Sequence, residues 1–271
     1  MPPCPTGLLA LLALAFGACA ADAAETVVLN GPEGVALRTV VVLPPEGRAG
    51  VPVVALHGCG GIGGPDAAPQ LPERERAWAE RLAAAGHPVL FPDSFGSRGF
   101  AEVCGQPSMV PSRTVRRGDA FVAAAWAAAQ PWAAPGGGTI LLGWSHGGST
   151  VLAVAADPAP PMPIRAVVAY YPGCRGFAGS EWKARTPTIL LLGDADDWTA
   201  PAPCQALAAA GGAEARTYPG ARHGFDHPDQ PPGDRTLPNG RVVGLGTDRA
   251  ARDASIREVE AFLQAHAAPP R

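Results

Sequence analysis

Short apolar runs recur along this 271-residue chain with amphipathic stretches between them, and no other feature narrows the possible folds as far. "VPVVALHG", "HPVLFPD", "GTILLGWS", "IRAVVAYYP", "TPTILLLGD" and "AEARTYPG" have strand length and end at Gly, Pro, Asp or Ser. Several lack polar alternation, as strands do when helices cover both faces of a parallel sheet. Ahead of them, "TVVLN" and "VALRTVVVLP" read as two β-branched strands around the turn "GPEG". Between the runs, "ERERAWAERLAAAG" places Trp78, Leu82 and Ala85 at helical steps before Gly86. "TVRRGDAFVAAAWAAAQ" does so with Val115, Val122, Trp126 and Ala129, and "ASIREVEAFLQAH" with Ile256, Val259 and Phe262. Strand and helix in alternation predict a doubly wound α/β architecture with a mostly parallel sheet and helices on both faces.

With 47% hydrophobic residues the chain can bury a large core. A net charge of -3 offers no basic field for nucleic acid and no polybasic strip for anionic lipid. The segment "MPPCPTGLLALLALAFGACAADAAE" has the layout of a secretory signal, an apolar stretch from Leu8 to Phe16 and then small residues, although Lys and Arg are missing ahead of it. That stretch is too short to span a bilayer. We expect a signal peptide over 1–23 and one domain over 24–271. Cleavage within "FGAC" would instead leave a lipid anchor at Cys19. Neither a repeat nor a linker divides the chain, and the Pro/Gly-rich stretch Gly224–Gly246 reads as a long loop, either functional or a solvated excursion.

Export to an oxidising compartment would leave Cys59, Cys104, Cys174 and Cys204 for disulfides. Cys174 and Cys204 each lie just past a predicted neighbouring strand, which pairs them, and Cys59 with Cys104 follows by elimination. No CxxC spacing points to a metal. His223, Asp226, His227 and Asp229 cluster in sequence, but a Pro-rich segment fixes no ligand geometry.

"GWSHGG" stands where "TILL" meets the helix-like "STVLAVAA". Glycines around a serine at a strand-to-helix junction allow the strained turn of a nucleophile elbow, which holds the hydroxyl clear of the sheet. Ser145 then needs a base oriented by an acid, and in the α/β-hydrolase fold both follow the serine, acid first. "LLLGDADDW" ends a strand in three acids, of which Asp196 sits on the loop beyond the strand end; Asp194 is too close to the terminus and Asp197 suits a surface or helix-start role. "YPGARHGFD" then supplies His223. Backbone N–H groups of His146 and of Cys59, with Gly60 as the alternative, are expected to bind the oxyanion.

In this order, "LHGCGG", "FPDSFGSRGF", "GWSHGG", "GDADDWT" and "ARHGFD" resemble the dienelactone hydrolase family, from about Thr26 to the final helix. The resemblance implies a hydrolase without a separate cap domain, its triad at Ser145, Asp196 and His223. Founding members use a cysteine nucleophile assisted by a glutamate; Ser145 replaces the thiol and no glutamate stands near Gly58. They also hold a substrate carboxylate with arginines, for which Arg98 is the nearest match, and Trp198 is a candidate pocket wall. The expected activity is a cofactor-free serine hydrolase of small-molecule esters or lactones, secreted or periplasmic. Its rivals are a prolyl oligopeptidase-type peptidase, which generally brings a propeller domain for which no segment here suffices, and a non-catalytic binding protein on the same scaffold.

Overall fold

The computed structural model describes residues 24–45 and 50–266. The expected leader over 1–23 and Cys19 lie outside the described residues. The strands β1 (Glu25–Asn30), β2 (Ala36–Val42), β3 (Val53–Leu56), β4 (Val89–Pro92), β5 (Thr139–Trp144), β6 (Ile164–Tyr170), β7 (Thr188–Gly193) and β8 (Glu214–Tyr218) form one sheet. Their order is β1-β2-β4-β3-β5-β6-β7-β8. β2 pairs antiparallel with β1 and β4, and every other pairing is parallel. Every residue of β3, β5 and β7 is buried, which is why these strands read as unbroken apolar runs.

Helices α1 (Glu73–Ala84), α2 (Val115–Ala128), α3 (His146–Ala155), α4 (Pro201–Gly211) and α5 (Arg249–His266) cover both faces. Trp78 and Leu82 of α1 and Ile256, Val259 and Phe262 of α5 pack on Val53, Ile140 and Leu142. On the opposite face, alanines of α2, Val151 and Leu152 of α3 and Ala208 of α4 pack on Val54, Leu141 and Leu190. Each fully buried Val, Leu or Ile contributes about 1.5–3 kcal/mol. No separate cap domain occurs among the described residues.

Three local expectations change. The buried face of α2 is the small one, Ala120, Ala123, Ala124 and Ala127, whereas Val122 and Trp126 are half-buried and Ala129 is exposed, because α2 packs close against α3 and the sheet. Helix α4 went unread: "PAPCQALAAAG" carries almost no large apolar residue to mark a face. The stretch Gly224–Gly246 contains a hairpin, β9 (Gly233–Thr236) with β10 (Val242–Leu245), invisible to periodicity because β9 is exposed throughout. Leu245 bridges to His223, so the hairpin is anchored beside a predicted site residue.

Disulfides join Cys59 to Cys104 and Cys174 to Cys204. Between the sheet and α1, the buried Asp226 carboxylate accepts hydrogen bonds from Trp144 Nε1 (2.8 Å), Trp78 Nε1 (3.1 Å) and the Tyr171 hydroxyl (2.5 Å). A buried carboxylate is tolerable only when its lone pairs are filled in this way. Asp226→Ala would leave three donors unpaired, and we expect chemical denaturation to show a loss of about 3 kcal/mol or more.

Candidate active site

At the end of β5 the chain turns into α3 through Ser145, whose backbone has φ 53° and ψ -112°. A non-glycine residue keeps such angles only when its surroundings enforce them. Here α3 presses onto the sheet at distances only glycine permits: a Cβ at Gly147 would lie 1.9 Å from the Leu56 carbonyl oxygen, and one at Gly143 would lie 2.4 Å from that of Gly147. The Ser145 N–H donates to Tyr170 O at 2.9 Å, and Ser145 O accepts from the Ser149 N–H at 2.9 Å, which locks the corner between β6 and the first turn of α3. Residue 146 therefore begins a helix, where amide N–H groups lack intrahelical partners.

Asp196 and His223 come from the loops after β7 and β8 and meet side chain to side chain. His223 Nδ1 lies 2.8 Å from Asp196 Oδ2, and both residues are buried. The other carboxylate oxygen accepts the N–H groups of Trp198 (2.9 Å) and Thr199 (2.8 Å), an Asp-led turn that fixes its orientation. Thr199 Oγ1 lies 2.9 Å from Asp196 Oδ2, 3.0 Å from Tyr171 O and 3.1 Å from His223 Nδ1. The imidazole packs against the rings of Tyr171 and Trp198, each with its centroid 4.6 Å away. With Nδ1–H turned to Asp196, the lone pair is on Nε2. Ser145 and His223 line one cleft, and no hydrogen bond joins their side chains among the described residues. The neighbouring acids are engaged elsewhere: Asp194 accepts the Gly220 N–H, and Asp197 accepts that of Gly244.

Two cavities border Ser145, one of about 540 Å³ and one of about 230 Å³, and Cys59, Cys104 and Trp198 line both. The larger is walled by Arg113, Arg175 and Arg241 with no acid among its lining residues; the smaller contains His223, Arg74 and Glu75. The hairpin turn reaches into the larger one through Leu237, Asn239 and Arg241, so the stretch Gly224–Gly246 walls the cleft and is not a solvated excursion. Arg98 borders neither cavity. Its guanidinium grips the buried Asp119 through two bonds (2.7 and 2.9 Å) and donates to Ser94 O, which organises its loop, so the pocket cations are other arginines. Among the described residues no group of three or more His, Cys, Asp or Glu is arranged to hold a metal.

Sequence reasoning missed Thr199, Tyr171 and the pocket arginines; only Thr199 left a signal, at the position where an Asp-led turn closes. Also missed was Arg116, fully buried behind His146, where Nη1 donates to His146 Nδ1 at 2.9 Å. Burial, with the Arg116 charge second, holds the His146 imidazole down to about 3. The same two causes hold His57, whose Nδ1–H donates to Gly58 O, well below its ordinary 6.5. Both are neutral in the folded chain and become protonated in the unfolded chain below about pH 6.5. The unfolded state therefore binds more protons there, and stability that is complete above that pH is lost as the pH falls toward 3. Denaturation midpoints measured at pH 7.5, 6 and 5 should fall progressively, each histidine contributing about 1.4 kcal/mol per pH unit below its unfolded value; a flat profile would contradict this burial.

The fold has parallels among solved structures. A dienelactone hydrolase-like promiscuous phosphotriesterase from metagenomic libraries superposes with a TM-score of 0.68 at 19% identity, covering 90% of this chain and 99% of its own. Esterase 2 of Thermogutta terrifontis, in a form phosphonylated by cyclosarin, gives 0.62 at 20% identity, with 93% and 97% covered. Dipeptidyl peptidase 4 of Porphyromonas gingivalis gives 0.61 at 16% identity, with 89% of this chain but 35% of the peptidase covered. The curated proteins yield no match to the sequence. The family model described as "Dienelactone hydrolase family" matches residues 37–267, and the chain belongs to that family.

Proposed function

We propose that the protein is a serine hydrolase that cleaves carboxylic esters or lactones through an acyl-enzyme. The observation that carries this reading is the Asp196–His223 pair, 2.8 Å apart, on the cleft that the elbow residue Ser145 also lines. His223 Nε2 takes the proton from Ser145 Oγ as the oxygen attacks the carbonyl carbon, and Asp196 holds the imidazolium that results. The tetrahedral oxyanion accepts hydrogen bonds from the backbone N–H groups of His146 and Cys59. The proton then passes to the leaving oxygen, which departs as an alcohol or, from a lactone, stays tethered to the acyl chain. Water repeats the sequence to release the acid, and no cofactor enters any step.

The arginines of the larger cavity extend the reading. Arg113, Arg175 and Arg241, unopposed by an acid in that wall, suit an acyl or alcohol group bearing a carboxylate. They take the part that the sequence had suggested for Arg98, and Trp198 offers an aromatic wall beside them. Leader cleavage after residue 23, leaving 24–271 as the mature domain, fits the two disulfides, which belong to an oxidising compartment such as the periplasm or the exterior. A lipid anchor at Cys19 is the other maturation route.

Ser145→Ala and His223→Ala should each lower kcat for p-nitrophenyl acetate by about 10⁴-fold while the folded circular-dichroism spectrum is retained; near-native turnover by either would refute the assignment. For Arg113→Ala/Arg241→Ala we expect the KM ratio of p-nitrophenyl hemisuccinate to p-nitrophenyl acetate to rise about 10-fold. An unchanged ratio would remove the anionic subsite.

A further inference from the structure

We infer that the Cys59–Cys104 disulfide is the positioning element of the oxyanion donor, so that the site is complete only after this bond has formed. The inference rests on the hydrolase reading above. Cys59 lies in "GCGG", the glycine-rich loop after β3, and such backbone loses more freedom on ordering than any other. A donor amide must stand within a few tenths of an ångström of its place to favour the transition state, so something outside this loop has to hold it.

What holds it is the segment 101–105. Cys104 is bonded to Cys59 through sulfur, and the Val103 N–H donates to Cys59 O at 2.9 Å. Gly61, with φ 73°, sits so near this segment that a Cβ would lie 2.4 Å from Ala101 O. Phe95, Val103 and Val110 pack against the disulfide. The segment has no helix or strand of its own and is braced from outside: Arg235 of β9 pairs with Glu102 at 2.9 Å, and a Cβ on Gly105 would meet Pro238 at the hairpin turn at 2.8 Å. Oxyanion loop, segment 101–105 and hairpin thus form one rim around Ser145, and both sulfur-bearing residues line both cavities. With the bridge open, Cys59 retains one backbone hydrogen bond to a segment that is itself irregular. Cys174–Cys204 ties the loop after β6 to α4 and packs in a different apolar cluster from Cys59–Cys104.

A misplaced amide weakens binding of the transition state more than of the ester, so the loss falls on kcat. The test compares the wild-type protein with Cys59→Ala/Cys104→Ala, below the unfolding transition of each. For p-nitrophenyl acetate the variant should lose about 10-fold or more in kcat with KM within about 2-fold. Affinity for a phenylboronic acid, which forms a tetrahedral adduct on a serine, should fall in parallel. Dithiothreitol supplies two electrons and two protons to the Cys59–Cys104 bond, giving two thiols as the reagent closes to its cyclic disulfide. Wild type should then lose the same activity and regain it on reoxidation, whereas the double variant should not respond. If the variant does not fold, the reduced and reoxidised wild type, with the opened bridge identified by peptide mass mapping, carries the test. Unchanged kcat and boronate affinity with this bridge absent or open would overturn the inference alone. A wild type without esterase activity would overturn the hydrolase reading along with it.

Discussion

A serine backbone at φ 53° costs about 1–3 kcal/mol relative to an ordinary conformation, and the rest of the site depends on that cost being met by packing. It is met because Gly143, Gly147 and Gly148 let α3 settle onto β3, β5 and β6 at distances no side chain would allow. The result is a helix that starts at the sheet edge with Ser145 on its shoulder. Sheet order then decides what can reach it. On one side of β5 is β3, whose loop carries Cys59; on the other, beyond β6, are β7 and β8, whose loops carry Asp196 and His223. The parallel strands deliver the loop of Cys59, then Ser145, Asp196 and His223, to one end of the sheet in spatial order.

The surroundings of the imidazole are as constrained as the elbow. Tyr171 packs against His223 while its hydroxyl is held by the Asp226 carboxylate, which also receives both indole N–H groups of Trp78 and Trp144. Helix α1, strand β5 and the loop carrying the histidine are joined through one buried acid. Trp198, from the loop that bears Asp196, packs against the same ring. The outer rim packs on a small cluster of its own, Phe95, Val103 and Val110, and is tied together by a disulfide, an ion pair and a hairpin turn. A rigid acid–base pair beside a braced rim suits a hydrolase whose specificity resides in loops on a common scaffold.

Legibility in the sequence followed burial. All eight strands of the main sheet could be read, since interior parallel strands are continuous apolar runs and Val53–Leu56 or Thr188–Gly193 have no other plausible setting. The elbow was legible because glycine spacing records a close backbone approach. Helix α4 and the alanine face of α2 were not, because small residues pack by fitting closely and leave no amphipathic contrast. In the hairpin β9–β10 the first strand is polar and exposed and the second is only Val242–Leu245, so no alternation separates the pair from a loop. Arg98 was misassigned for a different reason: sequence shows a cation near a glycine-rich turn but not that Asp119, from α2, already occupies its fork. The arginines that do line the cleft come from loops and a hairpin turn brought together only by the fold.

The central claim is that Ser145 is the nucleophile, and covalent trapping tests it most directly. The folded protein is treated with a fluorophosphonate and its peptides are mapped by mass spectrometry. The account predicts one adduct per chain, on the peptide carrying "GWSHGG" and localised to Ser145, with labelling slowed when His223 is replaced. A folded protein that takes no label, or carries it at another residue, would contradict the account.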